Sequence, residues 1–142
     1  HNIGLVGLPA NVLYKKERLT EKERQIWDKH AEIGAEIAAK IPKIARAAHL
    51  IACHEERYNG SGPMSMYGKS IPLACRIFAA VEMFDNFTHP YYRSPGMSVT
   101  EAIDEINMYA GTALDPDVVA ALGRLVSDNR LVESITVQVY MR

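Results

Sequence analysis

Long apolar runs are missing from this 142-residue sequence: none approaches the ~18–20 residues that cross a bilayer, so membrane insertion is not expected. An excess of either charge is missing too. Sixteen Lys and Arg stand against seventeen Asp and Glu, and a net charge of −1 offers no basic field for DNA or RNA. The N-terminus lacks the basic segment followed by an apolar one that marks a secretory leader. Cysteine is scarce. Cys53 and Cys75 alone exclude a disulfide-stapled miniprotein and suit a reducing cytoplasm, a disulfide between them being the less favoured state. Nine Gly and seven Pro exclude a collagen-like repeat. What is present is apolar content, 48% of the chain, enough to build a core. The expectation is a cytoplasmic, single domain over residues 1–142. An initiator Met is absent, and His1-Asn2-Ile3-Gly4-Leu5-Val6-Gly7-Leu8-Pro9 reads as the middle of an element. The chain is therefore expected to be N-terminally truncated, with a sensory or receiver domain upstream.

Helical signals dominate the rest of the chain. Thr20 with Glu23 three residues later is a capping-box pattern, and it opens a stretch in which Ile26, His30, Ile33 and Ile37 recur at helical spacing. Pro42 interrupts it, and a second helix is expected over 43–53 with Ile44, Ala48 and Ile51 inward. The polar loop Asn59-Gly60-Ser61-Gly62-Pro63 continues to Gly68. Pro72 then suits the first turn of a helix presenting Leu73, Ile77, Ala80 and Phe84. After a loop from Thr88 to Gly96, Ser98 with Glu101 caps a further helix, and Asp115-Pro116 launches another from Asp117 to about Val126. In the tail, 127–142, Ile135, Val137 and Val139 alternate with polar residues in a period-2, strand-like pattern. The fold class is all-α, a bundle of about five helices, with the state of the tail left open between a short strand and irregular chain.

Neutral imidazole is the commonest transition-metal ligand, which directs attention to five histidines. His54 precedes Glu55 and Glu56 where a helix gives way to a loop, the sharpest local cluster. His30 lies on the inner face of the long helix. Glu82 and Asp85, spaced i,i+3 in an apolar helix, are costly there unless they face a ligand, a metal or a capping group. His49 and His89 look peripheral.

The segments His1-Asn2-Ile3-Gly4, Lys29-His30-Ala31-Glu32-Ile33-Gly34-Ala35, His54-Glu55-Glu56-Arg57-Tyr58-Asn59-Gly60-Ser61-Gly62 and Ile71-Pro72-Leu73-Ala74-Cys75-Arg76-Ile77 occur in that order. Glu82-Met83-Phe84-Asp85, Tyr109-Ala110-Gly111-Thr112 and Asp115-Pro116 come after them. In this series the chain resembles the HD-GYP family from residue 1 to about 126. These are bacterial metal-dependent phosphodiesterases acting on cyclic di-GMP, within the larger HD phosphohydrolase superfamily. The resemblance implies an HD-domain helical fold and divalent cofactors (Fe, Mn or another transition metal). It implies ligands at His1, His30 and His54, with Glu55 and Glu82 as chemically able replacements. Asn2 falls at the position of the aspartate of the HD pair, and Arg57, Gly60, Ser61 and Gly62 fall on the substrate entrance. The implied partners are cyclic di-GMP or a related nucleotide, a protein signalling partner and a second copy of the chain.

Departures from the family pattern sit where its chemistry sits. Asn2 replaces an aspartate, Leu5 a lysine, Glu55 a histidine, Glu82 an aspartate and Ala113 a histidine, while Gly62 runs into Pro63 without the tyrosine of the family motif. Two carboxylates still fall in the ligand set, so its anionic charge has moved. Asn2 is the serious change, because a neutral amide offers one carbonyl oxygen and binds a cation far more weakly. Two readings stay open: an active phosphodiesterase with an altered ligand set, and an inactive domain that binds nucleotide or a protein partner.

Overall fold

The computed structural model describes residues 1–89 and 96–128. Their regular elements are all helical, as the sequence predicts: α1 (Ala10–Leu13), α2 (Glu21–Ala39), α3 (Ala48–Ala52), α4 (Leu73–Thr88), α5 (Val99–Asn107) and α6 (Pro116–Ser127), with 3-10 turns at Asn2–Gly7, Ala45–Ala47 and Gly68–Ser70. The chain divides into two compact units, His1–Cys75 and Arg76–Arg142. The strand-like tail pattern lies outside the described residues, as does most of the Thr88–Gly96 loop.

In the first unit, α2 begins where the capping box predicts. Thr20 Oγ1 accepts the Glu23 N–H, and Glu23 Oε2 accepts the Thr20 N–H at 2.7 Å. Lys15 Nζ donates to the same carboxylate at 2.6 Å, and with the Thr20 N–H it pulls the Glu23 pKa down to about 2. The turn Asn2–Gly7 crosses α2 at a pair of glycines. A side chain on Gly4 would collide with the His30 carbonyl oxygen and sit 2.5 Å from the Gly34 nitrogen, so this crossing requires glycine. Beyond α2, the helix expected over 43–53 is shorter, a 3-10 turn followed by the five residues of α3. Ile44 is exposed where inward packing was expected. The short helix α1 was not anticipated: its register after Pro9 is too brief to show periodicity.

Cys53, Ile71 and Cys75 form a small buried cluster against Met66. The two sulfurs are in direct contact and are paired as a disulfide spanning 22 residues, with a Cα–Cα distance of 6.3 Å. This corrects the expectation of separate thiols. Spacing alone could not bring two cysteines together across a loop.

The second unit holds most of α4, with α5 and α6. Its core is Ala80 and Phe84 of α4, Ala102 and Ile106 of α5, and Leu114, Val119 and Leu122. Leu73 and Ile77, expected on the same inward face, are exposed. Ser98 and Glu101 form the predicted capping box of α5. Asp115 caps α6 by accepting the Asp117 N–H at 2.8 Å, with Pro116 in the first turn. It is fully buried and ion-paired with Arg76. Burial pushes its carboxyl up, but the Arg76 guanidinium and the Asp117 N–H outweigh that and hold it below the ordinary carboxylate range.

Candidate metal centre

Two helix segments aim imidazoles at one point. His30 lies at the middle of α2 and His54 just past the end of α3, 24 positions apart, and both are buried, 1% and 4% exposed. Each ring is fixed in the same way. His30 Nδ1 lies 2.7 Å from the Trp27 carbonyl and His54 Nδ1 lies 2.6 Å from the Ile51 carbonyl, in each case three residues upstream. A carbonyl only accepts, so both Nδ1 atoms carry hydrogen, and in the neutral rings both Nε2 atoms present lone pairs. Those two Nε2 atoms face each other at 3.1 Å.

Two acceptors so placed repel unless a positive group satisfies both. Nitrogens each ~2.1 Å from one cation and at right angles about it stand ~3.0 Å apart. The observed separation fits that edge. Glu55 Oε1 lies 3.7 Å from His30 Nε2 and 4.0 Å from His54 Nε2, on a side chain 41% exposed. The three donors fall within 4.8 Å of one another, a group able to hold a metal ion. Backbone carbonyls behind both rings set tautomer and orientation, the kind of outer support that a histidine metal site uses. The residues present therefore fit a divalent cation.

The His1 ring stands edge-on to His54, 5.1 Å between centroids, flanking the three-donor group. Asn2 is exposed at the start of the turn that crosses α2. Arg57 is exposed on the loop beyond Glu56. The Ser61 hydroxyl and N–H both donate to Asn59 Oδ1, at 2.7 and 3.1 Å. Gly60 takes a left-handed backbone, φ +79°. At Gly62 an added Cβ would lie 2.7 Å from Glu56 Cα, so its missing side chain admits the Glu56 backbone. Glu82 belongs to α4 in the second unit and is partly buried. Asp85 faces solvent and pairs with His89 at 2.9 Å, which removes the burial cost inferred for it. His49 and His89 are exposed, as expected.

Sequence reasoning gave no role to Glu56. It is 5% exposed, and its carboxylate accepts the Met64 N–H at 2.5 Å and the Met66 N–H at 2.7 Å. This clamp folds the loop back onto the residue that follows Glu55. Asp28 was also missed. Burial raises its carboxyl, Arg24 opposes this, and Glu55 adds to it. Asp28 lines a groove of about 720 Å³ with Glu32, Glu36, Lys29 and Met64. Three acids against one lysine make that groove a poor seat for a phosphate.

Residues 1–118 match the family model described as HD domain. The chain belongs to the HD domain family. It is similar to the cyclic di-GMP phosphodiesterase response regulator RpfG of Xanthomonas campestris, 33% identical over 127 residues, covering 87% of this chain and 34% of the relative. It is similar to a cyclic di-GMP phosphodiesterase of Thermotoga maritima, 33% identical over 129 residues, covering 88% and 35%. Among solved structures it is similar to a cyclic GMP-AMP specific phosphodiesterase of Vibrio cholerae, V-cGAP3. That match has a TM-score of 0.61 and 25% identity, covering 91% of this chain and 33% of the other. The HD-GYP resemblance of the motifs is thus borne out at the level of family and helical fold. The chain spans about a third of the length of these relatives.

Proposed function

We propose that residues 1–142 act as a metal-dependent phosphodiesterase domain on cyclic di-GMP or a related cyclic dinucleotide in cytoplasmic signalling. One observation carries the reading: the two inward-facing Nε2 atoms, tautomerically fixed, with a carboxylate beside them. His30, His54 and Glu55 would hold the ion, with His1 adjacent. Imidazole nitrogen with carboxylate oxygen suits iron, manganese or another transition metal. When bound, such a cation supplies Lewis-acid activation of water and neutralises charge developing on the phosphate. The chain's own share is positioning. Trp27 and Ile51 carbonyls hold the ring planes, the Glu56 clamp fixes the loop, and Arg57 offers a forked contact to a phosphodiester. The resemblance adds Glu82 as a further ligand, and a protein signalling partner or a second copy of the chain as partners.

Asn2 favours a second reading, in which nucleotide is bound and not hydrolysed. The discriminating experiment is Mn²⁺-supported hydrolysis of cyclic di-GMP and of bis(p-nitrophenyl) phosphate, in wild type and in Asn2→Asp. Turnover in wild type, raised in the variant, supports the phosphodiesterase. Nucleotide binding without turnover in either protein supports the binding module.

A further inference from the structure

We propose that Cys53 and Cys75 form a redox-dependent staple on the segment that carries His54 and Glu55, so that metal retention follows the oxidation state of the pair. The inference rests on the proposed metal site and adds its regulation. Cys53 directly precedes His54 and closes α3, its N–H donating to the His49 carbonyl at 3.2 Å. Cys75 lies in the first turn of α4, its N–H donating to Pro72, and its sulfur also faces the Leu50 carbonyl of α3 at 3.5 Å. The Cα separation of 6.3 Å is within the ~4.4–6.8 Å that a disulfide spans. Both residues are buried.

The link therefore joins the last turn of a five-residue helix to the start of a sixteen-residue one. A helix as short as α3 does not hold its own shape, whereas α4 has the length to serve as an anchor. Covalent closure encloses Glu55, the Glu56 clamp, Arg57 and the glycine loop in one ring. Opening it leaves the two ligands on a segment held by the clamp and by the Gly68 N–H to the Tyr58 carbonyl, 2.8 Å.

The exchange balances with a small-molecule disulfide of the glutathione class as oxidant. One cysteine thiolate attacks it, forming a mixed disulfide and releasing one thiol. The second thiolate then attacks the cysteine sulfur of that bond and expels the other thiol. Two cysteine thiols are oxidised, one external disulfide is reduced, and two protons leave with the two released thiols. Burial means that exchange waits on local opening, so the response is slow.

The test titrates Mn²⁺ calorimetrically into the full chain, wild type and Cys75→Ala, after oxidised glutathione or a phosphine reductant, with thiols counted under denaturing conditions. Oxidised wild type, with no free thiol, is expected to bind Mn²⁺ about tenfold more tightly than the reduced form, the effect of ordering roughly one residue's backbone. Cys75→Ala should bind as the reduced form does under both treatments, and Cys53→Ala repeats the test should that variant fold poorly. Tryptic cleavage after Arg57 should be slower in oxidised wild type alone. Two thiols surviving oxidation, or equal Mn²⁺ affinity and cleavage in both redox states, overturns the staple and leaves the metal site standing. No Mn²⁺ binding in any form overturns the metal site and the staple with it.

Discussion

Substituting Gly4 by alanine tests whether the turn at Asn2–Gly7 sets the position of His1. The added methyl would meet the His30 carbonyl and the Gly34 nitrogen, the latter at 2.5 Å where ordinary contact begins near 3.4 Å. Neither atom can yield, because both belong to the backbone of α2. The turn must lift by about 1 Å, and overpacking of this kind costs ~1–3 kcal/mol. For a chain of this size that is a fall of roughly 5–10 °C in Tm. His1 lies three residues upstream of the pivot, so its ring should also leave its edge-on contact with His54. Gly123→Ala in α6 is the control: its Cβ would meet nothing within 4 Å, and relieving a helical glycine should stabilise by ~0.5–1 kcal/mol. Thermal unfolding of both variants, followed by Mn²⁺ titration, reads the two effects. An unchanged Tm in Gly4→Ala, with metal affinity intact, would refute the crossing as the device that places His1.

Asp115→Asn should destabilise by ~3–5 kcal/mol, because Arg76 then faces a neutral amide in a buried site; urea unfolding with a loss under 1 kcal/mol contradicts this. Glu56→Gln keeps the size of the clamp but replaces one acceptor oxygen with a donor, so amide exchange at Met64 and Met66 should accelerate while α6 amides are unchanged. Glu23 is held down to about 2 from 4.5 by Lys15 and the Thr20 N–H, and Asp115 is below 3.8. Depressed carboxyls stabilise the fold above their unfolded values and lose that contribution as pH falls through the folded ones. Acid weakening is therefore expected from pH 4.5 down to about 2, and an NMR midpoint near 4.5 for Glu23 would contradict it.

Helix starts were legible because their chemistry is local: Thr20 with Glu23, Ser98 with Glu101, and Asp115-Pro116 each satisfy end groups within three residues. Faces were less legible. Leu73 and Ile77 have the right period yet are exposed, since periodicity reports a stripe and not what covers it. The pairing of His30 with His54 came from the family resemblance; nothing in 24 residues of spacing encodes a 3.1 Å approach. The carbonyls of Trp27 and Ile51 were invisible because backbone atoms carry no residue signature, although the shared three-residue offset is readable once both histidines are suspected. Glu56 was obscured by its neighbour: adjacent acids look alike until the loop returns its N–H groups to one of them.

On the proposed reading, His30, His54 and Glu55 hold one divalent cation. Mn²⁺ titration of wild type beside His30→Ala and His54→Ala tests it most directly. Structural zinc sites gain ~10–16 kcal/mol from four ligands, about 2.5–4 kcal/mol each; manganese binds the same donors more weakly, so losing one of three should cost either variant roughly tenfold or more in affinity. Wild-type stoichiometric binding with that loss in both variants is the predicted result. Equal Mn²⁺ affinity in all three proteins would contradict it.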